Sequence, residues 1–228
     1  MSVVLDKGMQ RRREILDAAL RCFADEGYHA TTNRKIARRA GITEGLIYHY
    51  FPSKKALLLE IIRSRFQEDS ACELVFPRWE PRFTHESLTL NDLSVFLFEL
   101  GQAALSSMDR NIDVMRTVVS EYRILDEEGE PLYPKLVLEL KINRMAGILN
   151  LWKERYDLPI NDPVIAVNFF MGPLYAFFHF QELLSGKKIM PIDRTTFLEN
   201  LIPHFLKGIG FSIPPMKSTT KEGIIRED

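Results

Sequence analysis

Apolar residues in this chain recur at intervals of three and four, and no segment of any length alternates with the two-residue period of a strand. Helices are therefore expected throughout. Between Gln10 and Glu26 the residues Ile15, Leu16, Ala19, Leu20 and Phe23 share one helix face, and Gly27 is a natural stop. Thr32 is placed to cap a short helix through Ala40, which Gly41 ends. Thr43 can cap a third helix to about Phe51, which Pro52 breaks, and Ser53 opens a fourth that runs toward Val75. The stretch 76–90 holds Pro77, Pro81, Trp79 and Phe83 and reads as an irregular connector whose aromatics want burial. Further helices are expected at about 91–107 and 111–125, and from beyond the Gly/Pro-rich loop 126–134 to Tyr156. The last of these carries a seam at Leu138, Ile142, Met145, Leu149, Trp152 and Tyr156. Asn161-Asp162-Pro163 opens a helix to Leu184, and a final helix spans 194–209. The fold class read from this pattern is all-α. It divides into a three-helix head at 1–52, a connecting helix at 53–75, a larger helical bundle at 76–211, and a polar tail at 212–228 that is expected to be mobile.

With 46% apolar and 27% charged residues, the composition is that of a globular chain, neither collagen-like nor disordered. Cys22 and Cys72 stand 50 residues apart without a CxxC, so neither a zinc site nor a disulfide framework is suggested. A reducing compartment is the simplest reading, and Met1–Gly8 is too polar and short for a signal peptide. The net charge of −1 hides an asymmetry: residues 1–66 carry 13 Lys or Arg against 7 Asp or Glu, and residues 67–228 carry 17 against 24. A basic head on an acidic body suits a head that meets a polyanion.

The informative spacing is Ala37, Gly41, Ile47. A helix-turn-helix needs a small residue where two helices cross, a glycine at the left-handed turn, and an apolar residue returning the second helix to the core; that second helix enters the DNA major groove. At about 100° per residue, with Ile47 facing inward, Thr43 and Phe51 fall near it. Gly45 and His49 then fall opposite, flanked by Leu46 and Tyr48. Tyr48 and His49 offer hydrogen bonds to phosphates or base edges, Leu46 can touch a thymine methyl, and Gly45 permits close backbone approach. Arg34, Lys35, Arg38, Arg39, Lys54 and Lys55 surround this surface.

Catalytic motifs are lacking. His29, His49, His85, His179 and His204 make no HExxH, there is no GxSxG, and Asp126-Glu127-Glu128 reads as a solvated loop run. The chain is not expected to be an enzyme or to hold a metal or cofactor. Val164–Gln181 is free of charged residues and long enough to span a membrane, yet it contains Asn168, Pro173, His179 and Gln181, and reads instead as a helix buried in a bundle or an oligomer interface. Polar groups in otherwise apolar helices, with neighbouring aromatics, make Gln102, Arg116, Arg144, Trp152, Asn168 and Phe177 candidates for a small-molecule site.

The run from Arg11 to Leu58 resembles the DNA-binding domain of the TetR (tetracycline-repressor-type) family. The matching pieces are Arg13-Glu14-Ile15-Leu16-Asp17-Ala18-Ala19, Phe23-Ala24-Asp25-Glu26-Gly27-Tyr28, Ala30-Thr31-Thr32, Ile36-Ala37, Arg39-Ala40-Gly41-Ile42 and Ile47-Tyr48-His49-Tyr50-Phe51-Pro52-Ser53-Lys54. Glu44, Leu46 and Asn33 depart from the common pattern, which bears on the operator sequence. The resemblance implies a ligand-responsive transcriptional regulator in the bacterial or archaeal cytosol, a homodimeric repressor released from a near-palindromic operator by a small, largely apolar effector. Its partners would be double-stranded DNA, the effector and a second copy joined through residues 161–184 and 194–209, with no membrane partner. By position, Thr32, Arg34, Tyr48 and Lys54 would touch phosphates, and Thr43, Gly45, Leu46 and His49 the groove. The alternative is a helical small-molecule-binding protein or enzyme without operator binding.

Overall fold

A computed structural model describes residues 7–68, 71–85, 88–120 and 142–212. In chain order the α-helices are α1 (Lys7–Glu26), α2 (Asn33–Ala40), α3 (Glu44–Tyr50), α4 (Lys54–Glu68), α5 (Ala71–His85), α6 (Leu90–Arg110), α7 (Ile112–Ser120), α8 (Asn143–Tyr156), α9 (Pro163–Phe178) and α10 (Arg194–Gly208). Among the described residues there is no strand. The expected loop 126–134, the carboxylates Asp126–Glu128, Leu138 and residues 213–228 lie outside the described residues.

In the head, α1 packs on α2 and α4, and α2 on α3. Ile15, Ala19, Ile36, Ile47, Leu57 and Ile62 are fully buried, and Phe23, Ala37, Phe51, Leu58 and Ile61 nearly so. Gly41 takes φ +66° at the end of α2, and Ile42 N–H reaches back to the Ala37 carbonyl at 3.0 Å. A side chain at that φ would be strained, so the turn between α2 and α3 depends on glycine. Two ion pairs hold α1 to α4: Arg12 with Glu60 at 2.8 Å and Arg65 with Asp17.

The helices around residues 68–90 differ from those expected from the sequence. The described part of the expected fourth helix ends at Glu68, and the expected connector is the helix α5. Phe76, Trp79 and Phe83 step by three and four, and all three side chains are buried against α6 and α8. Phe96 lies at their centre, with ring centroids 4.8 Å from Phe83, 5.6 Å from Trp79, 5.8 Å from Phe76 and 6.0 Å from Trp152. Pro77 and Pro81 are exposed, one turn apart on the outer face, so the carbonyls they leave free point toward water. An interior proline costs about 3 kcal/mol. Burying three large aromatics contributes about 1.5–3 kcal/mol each, with a further ~0.5–1.5 for each well-oriented ring pair, and that outweighs the prolines.

The other body helices are placed by caps and close contacts. Thr89 and Asp92 form a reciprocal capping box on α6, and Asp92 also accepts from Arg82 at 2.9 Å. Asp162 caps α9, with Pro163 in its first turn. Gly101 lets α6 meet α10 closely, since a Cβ there would lie 2.5 Å from Leu198 Cδ2. One helix, Pro163–Leu183, is long and apolar enough to cross a membrane by length and composition. In this fold its inner side packs on α6, α8 and α10.

The hydrogen bonds from Thr89, then the Arg82 contact, lower the Asp92 carboxyl to about 2. A carboxylate whose folded pKa is depressed stabilises above its unfolded value, and that contribution disappears as pH falls through the folded value. Asp92→Asn is therefore expected to melt below the parent protein at pH 7. The gap should shrink between about pH 4 and about pH 2, as read by thermal unfolding across that range.

Candidate nucleic-acid interface

Helix α3 is short, and its packing explains which side it shows. Ile47 is fully buried and Phe51 nearly so, which roots the inner face in the core of the head, where α3 packs on α2. Glu44, Gly45, Tyr48 and His49 are exposed and Leu46 is half-buried; Tyr48 leaves 54% of its surface open. The side predicted from helix geometry is thus the side turned outward. Thr43 stands at the N-cap with its side chain not used in capping, so its hydroxyl is available. The His49 ring leans edge-on against Tyr50 at 5.2 Å, which limits its rotation.

Helix α2 supplies the flank. Thr32 caps it by accepting from Lys35 N–H at 3.3 Å, and is exposed. Arg34 and Arg38 are exposed, and among the described residues neither has an ion-pair partner. The other cations nearby are committed. Lys35 pairs with Glu26, and Arg39 with Asp25 at 2.6 Å. The Asp25 carboxylate, then Cys22, holds the Arg39 guanidinium above its ordinary pKa.

Lys54, expected at a phosphate, is engaged within the head in this structure. Its ammonium donates to the carbonyls of Tyr28 at 2.7 Å and Thr31 at 2.8 Å, approaches that of His29 at 3.5 Å, and lies 4.3 Å from the centre of the Tyr28 ring. Three donors meet three carbonyls, so the charge ties the start of α4 to the α1–α2 turn. Thr31, which the sequence reading passed over, closes the same turn: its hydroxyl donates to the carbonyls of Gly27 at 2.8 Å and Cys22 at 3.0 Å. Its signal was the threonine pair next to a glycine stop, of which only the cap was read.

The six effector candidates are not brought together. Gln102 is exposed beside a surface cleft that Glu182 and Arg194 share. Arg116 is exposed and 3.6 Å from Asp113. Arg144 bridges Glu73 at 2.5 Å and Glu80 at 2.9 Å across the Phe76 ring. Trp152 is buried in the aromatic cluster, its indole N–H without a partner among the described residues. Asn168 is exposed and donates to the Val164 carbonyl at 2.8 Å. Phe177 stacks on Phe197 at 4.3 Å. A polar residue in an apolar helix can simply occupy the solvent side, which sequence alone does not distinguish. What does converge, between α5, α6, α8 and α9, is a small apolar cavity lined by Ala71, Leu100, Ala104, Met108, Met145, Met171 and Tyr175.

An outward-facing second helix, rooted by buried residues and flanked by exposed arginines, is the arrangement of a helix-turn-helix head. Residues 15–61 match the family described as bacterial regulatory proteins, tetR family. The HTH-type transcriptional regulator BetI of Rhizobium meliloti (strain 1021) is 50% identical over 54 residues, 24% of this chain and 27% of that protein. The HTH-type transcriptional repressor KstR2 of Rhodococcus jostii (strain RHA1) is 43% identical over 81 residues, 34% of this chain and 39% of that one. The match thus spans roughly a quarter to two fifths of the length of these curated relatives. Among solved structures, the transcriptional regulator FadR of Bacillus subtilis in complex with stearoyl-CoA shares the fold. Its TM-score is 0.63 at 19% identity, with 86% of this chain and 98% of that one covered. These three similar proteins are each described as regulators or repressors of transcription.

Replacing a phosphate contact lowers the salt dependence of DNA binding, whereas replacing a positioning residue does not. Arg34→Ala is expected to reduce the slope of log K against log salt by about 1 per head. Lys54→Met is expected to weaken binding and lower the melting temperature with the slope unchanged. Fluorescence anisotropy on a DNA duplex at several salt concentrations, with parallel melts, checks both.

Proposed function

We propose that this protein is a ligand-responsive transcriptional repressor of the cytoplasm that binds a near-palindromic operator as a homodimer. The observation that carries the reading is the outward face of α3, with Gly45, Tyr48 and His49 exposed and Leu46 half-buried, rooted by Ile47 and flanked by Arg34 and Arg38. Tyr48, Arg34 and Thr32 reach phosphates in this reading, and Thr43, Gly45, Leu46 and His49 meet base edges and the groove floor. Residues 1–52 serve as the head, α4 joins it to the body, and the helices from α5 onward hold the effector and the dimer face.

The dimer reading rests on α9. Ile165, Phe169, Gly172 and Ala176 are exposed along one side of it, with Phe180 exposed just past its end, and Phe169 leaves 68% of its surface open. A second copy laid on that side would remove this apolar stripe from water. Dimer symmetry then sets two α3 helices into successive major grooves.

The effector reading rests on the cavity between α5, α6, α8 and α9. Its walls are aliphatic apart from Tyr175, and three methionines line it. Methionine side chains are flexible enough to open room for an unbranched chain. FadR's stearoyl-CoA ligand points the same way, to a fatty-acyl effector. Ala71, at the start of α5, touches this cavity, and α7 packs on both α1 and α4, so a filled body can reposition the head. By linkage, operator must weaken effector binding by the same factor that effector weakens operator binding.

Gel shift with genomic fragments followed by footprinting is expected to reveal a two-fold protected site. His49→Ala combined with Tyr48→Ala should weaken binding at least tenfold while the protein stays folded, and unchanged affinity would mean that another helix reads the DNA. In a thermal-shift series of saturated fatty acids and their CoA thioesters, the parent protein is expected to gain stability. Ala104→Leu, which fills the cavity, should remove that gain and leave operator binding in place.

A further inference from the structure

The segment between α9 and α10 is built inside out for a solvent loop. Several of its polar groups are paired, although the buried Gln181 Oε1 has no partner among the described residues. Gln181 is buried and its Nε2 donates to the Met190 carbonyl at 3.1 Å; the amides of Ile189 and Met190 both reach the Gly186 carbonyl at 2.9 Å. Glu182 pairs with Lys187 at 2.5 Å and with Arg194 at 2.9 Å, and Arg194 also grips Asp109 of α6. The backbone is shaped to suit: a π-helical turn at His179–Leu183, Ser185 at φ +59°, and Gly186 so close to Phe180 that a Cβ would lie 2.5 Å from its ring. Its large apolar side chains, by contrast, turn outward. Ile189 is 88% exposed, Leu184 65% and Met190 54%, with Ile192 also exposed.

A loop this tightly bonded does not expose four large aliphatic side chains for want of order. Holding them in fixed positions removes the ordering cost of association, as expected of a preformed docking surface. Phe180 joins the patch to the exposed side of α9, so the two form one continuous apolar surface.

We propose that this loop is an arm of the dimer interface, the residues Leu184, Ile189, Met190 and Ile192 packing on a second copy of this chain. The inference rests on the dimer reading above. Area argues for it. Ile165, Phe169 and Phe180 leave on the order of 300 Å² exposed, well short of the ~800 Å² per partner that a stable interface buries, and the four loop residues bring the total close to that figure. Of the loop's two lysines, Lys187 pairs with Glu182 and Lys188 is exposed, so an anionic lipid surface is the rival occupant that the experiment must separate.

The experiment uses the full chain in three forms: parent, Leu184→Asp with Ile189→Asp, and Phe169→Asp. The substituted side chains are exposed, so circular dichroism and melting should show each variant folded. In sedimentation equilibrium the parent is expected to be a dimer, and each variant to weaken the dimer at least a hundredfold. Hydrogen peroxide followed by mass spectrometry gives a readout without touching the loop. Met190 should oxidise at least fivefold faster in Phe169→Asp than in the parent, while Met9, exposed on α1, oxidises equally in both. A loop variant that dimerises like the parent, with Met190 equally reactive in both proteins, overturns the arm and leaves the α9 dimer standing. A parent that is monomeric at all concentrations overturns the dimer itself. Sedimentation of the parent, but not the loop variant, with phosphatidylglycerol vesicles would also overturn the proposal, assigning the patch to a lipid surface.

Discussion

The burial of Ile47, which seats α3 on α2, is the contact on which the outward face of that helix depends. Helix α3 is far too short to be stable alone, so tertiary packing must hold it. One fully buried isoleucine, followed a turn later by Phe51, sets its rotation, and everything on its outer side follows from that rotation. The left-handed turn at Gly41 sets its direction. Lys54 and Thr31 then lock the turn before α2 by pairing the carbonyls of Gly27, Tyr28 and Thr31. Two conserving tendencies of physics meet here: buried apolar atoms place the element, and satisfied polar atoms stop it from sliding.

The charges of the head divide by the same logic. Lys35, Arg39 and Lys54 are occupied in building it, Arg12 and Arg65 tie α1 to α4, and Arg34 and Arg38 are left facing out. The positive excess read from composition was therefore real, but only part of it is available to a phosphate backbone. Counting lysines and arginines measures attraction at long range and does not identify contacts.

In the body the decisive term is aromatic burial. Phe76, Trp79, Phe83, Phe96 and Trp152 form one cluster, and it draws α5 into a helix despite two prolines. The three-and-four spacing of the α5 aromatics is visible in the sequence, but Pro77 and Pro81 within it carry the opposite signal. They are tolerated because both stand on the outer face, where the carbonyls that lose a partner find water. Where a proline falls relative to the buried face decides whether a helix survives it.

Periodicity, caps and glycine stops were enough to establish an all-α chain, the three helices of the head, and the outward side of α3, because these depend on local backbone preference and on one apolar stripe per helix. Local signals carry no information about which distant groups will meet. Tertiary structure alone turned Lys54 inward onto three carbonyls, sent Gln102, Arg116 and Asn168 to the solvent, gathered three methionines from three helices around one cavity, and left the apolar side of α9 uncovered. Each of these depends on how far apart in space residues lie that are far apart in sequence, and only packing of the whole chain determines that distance.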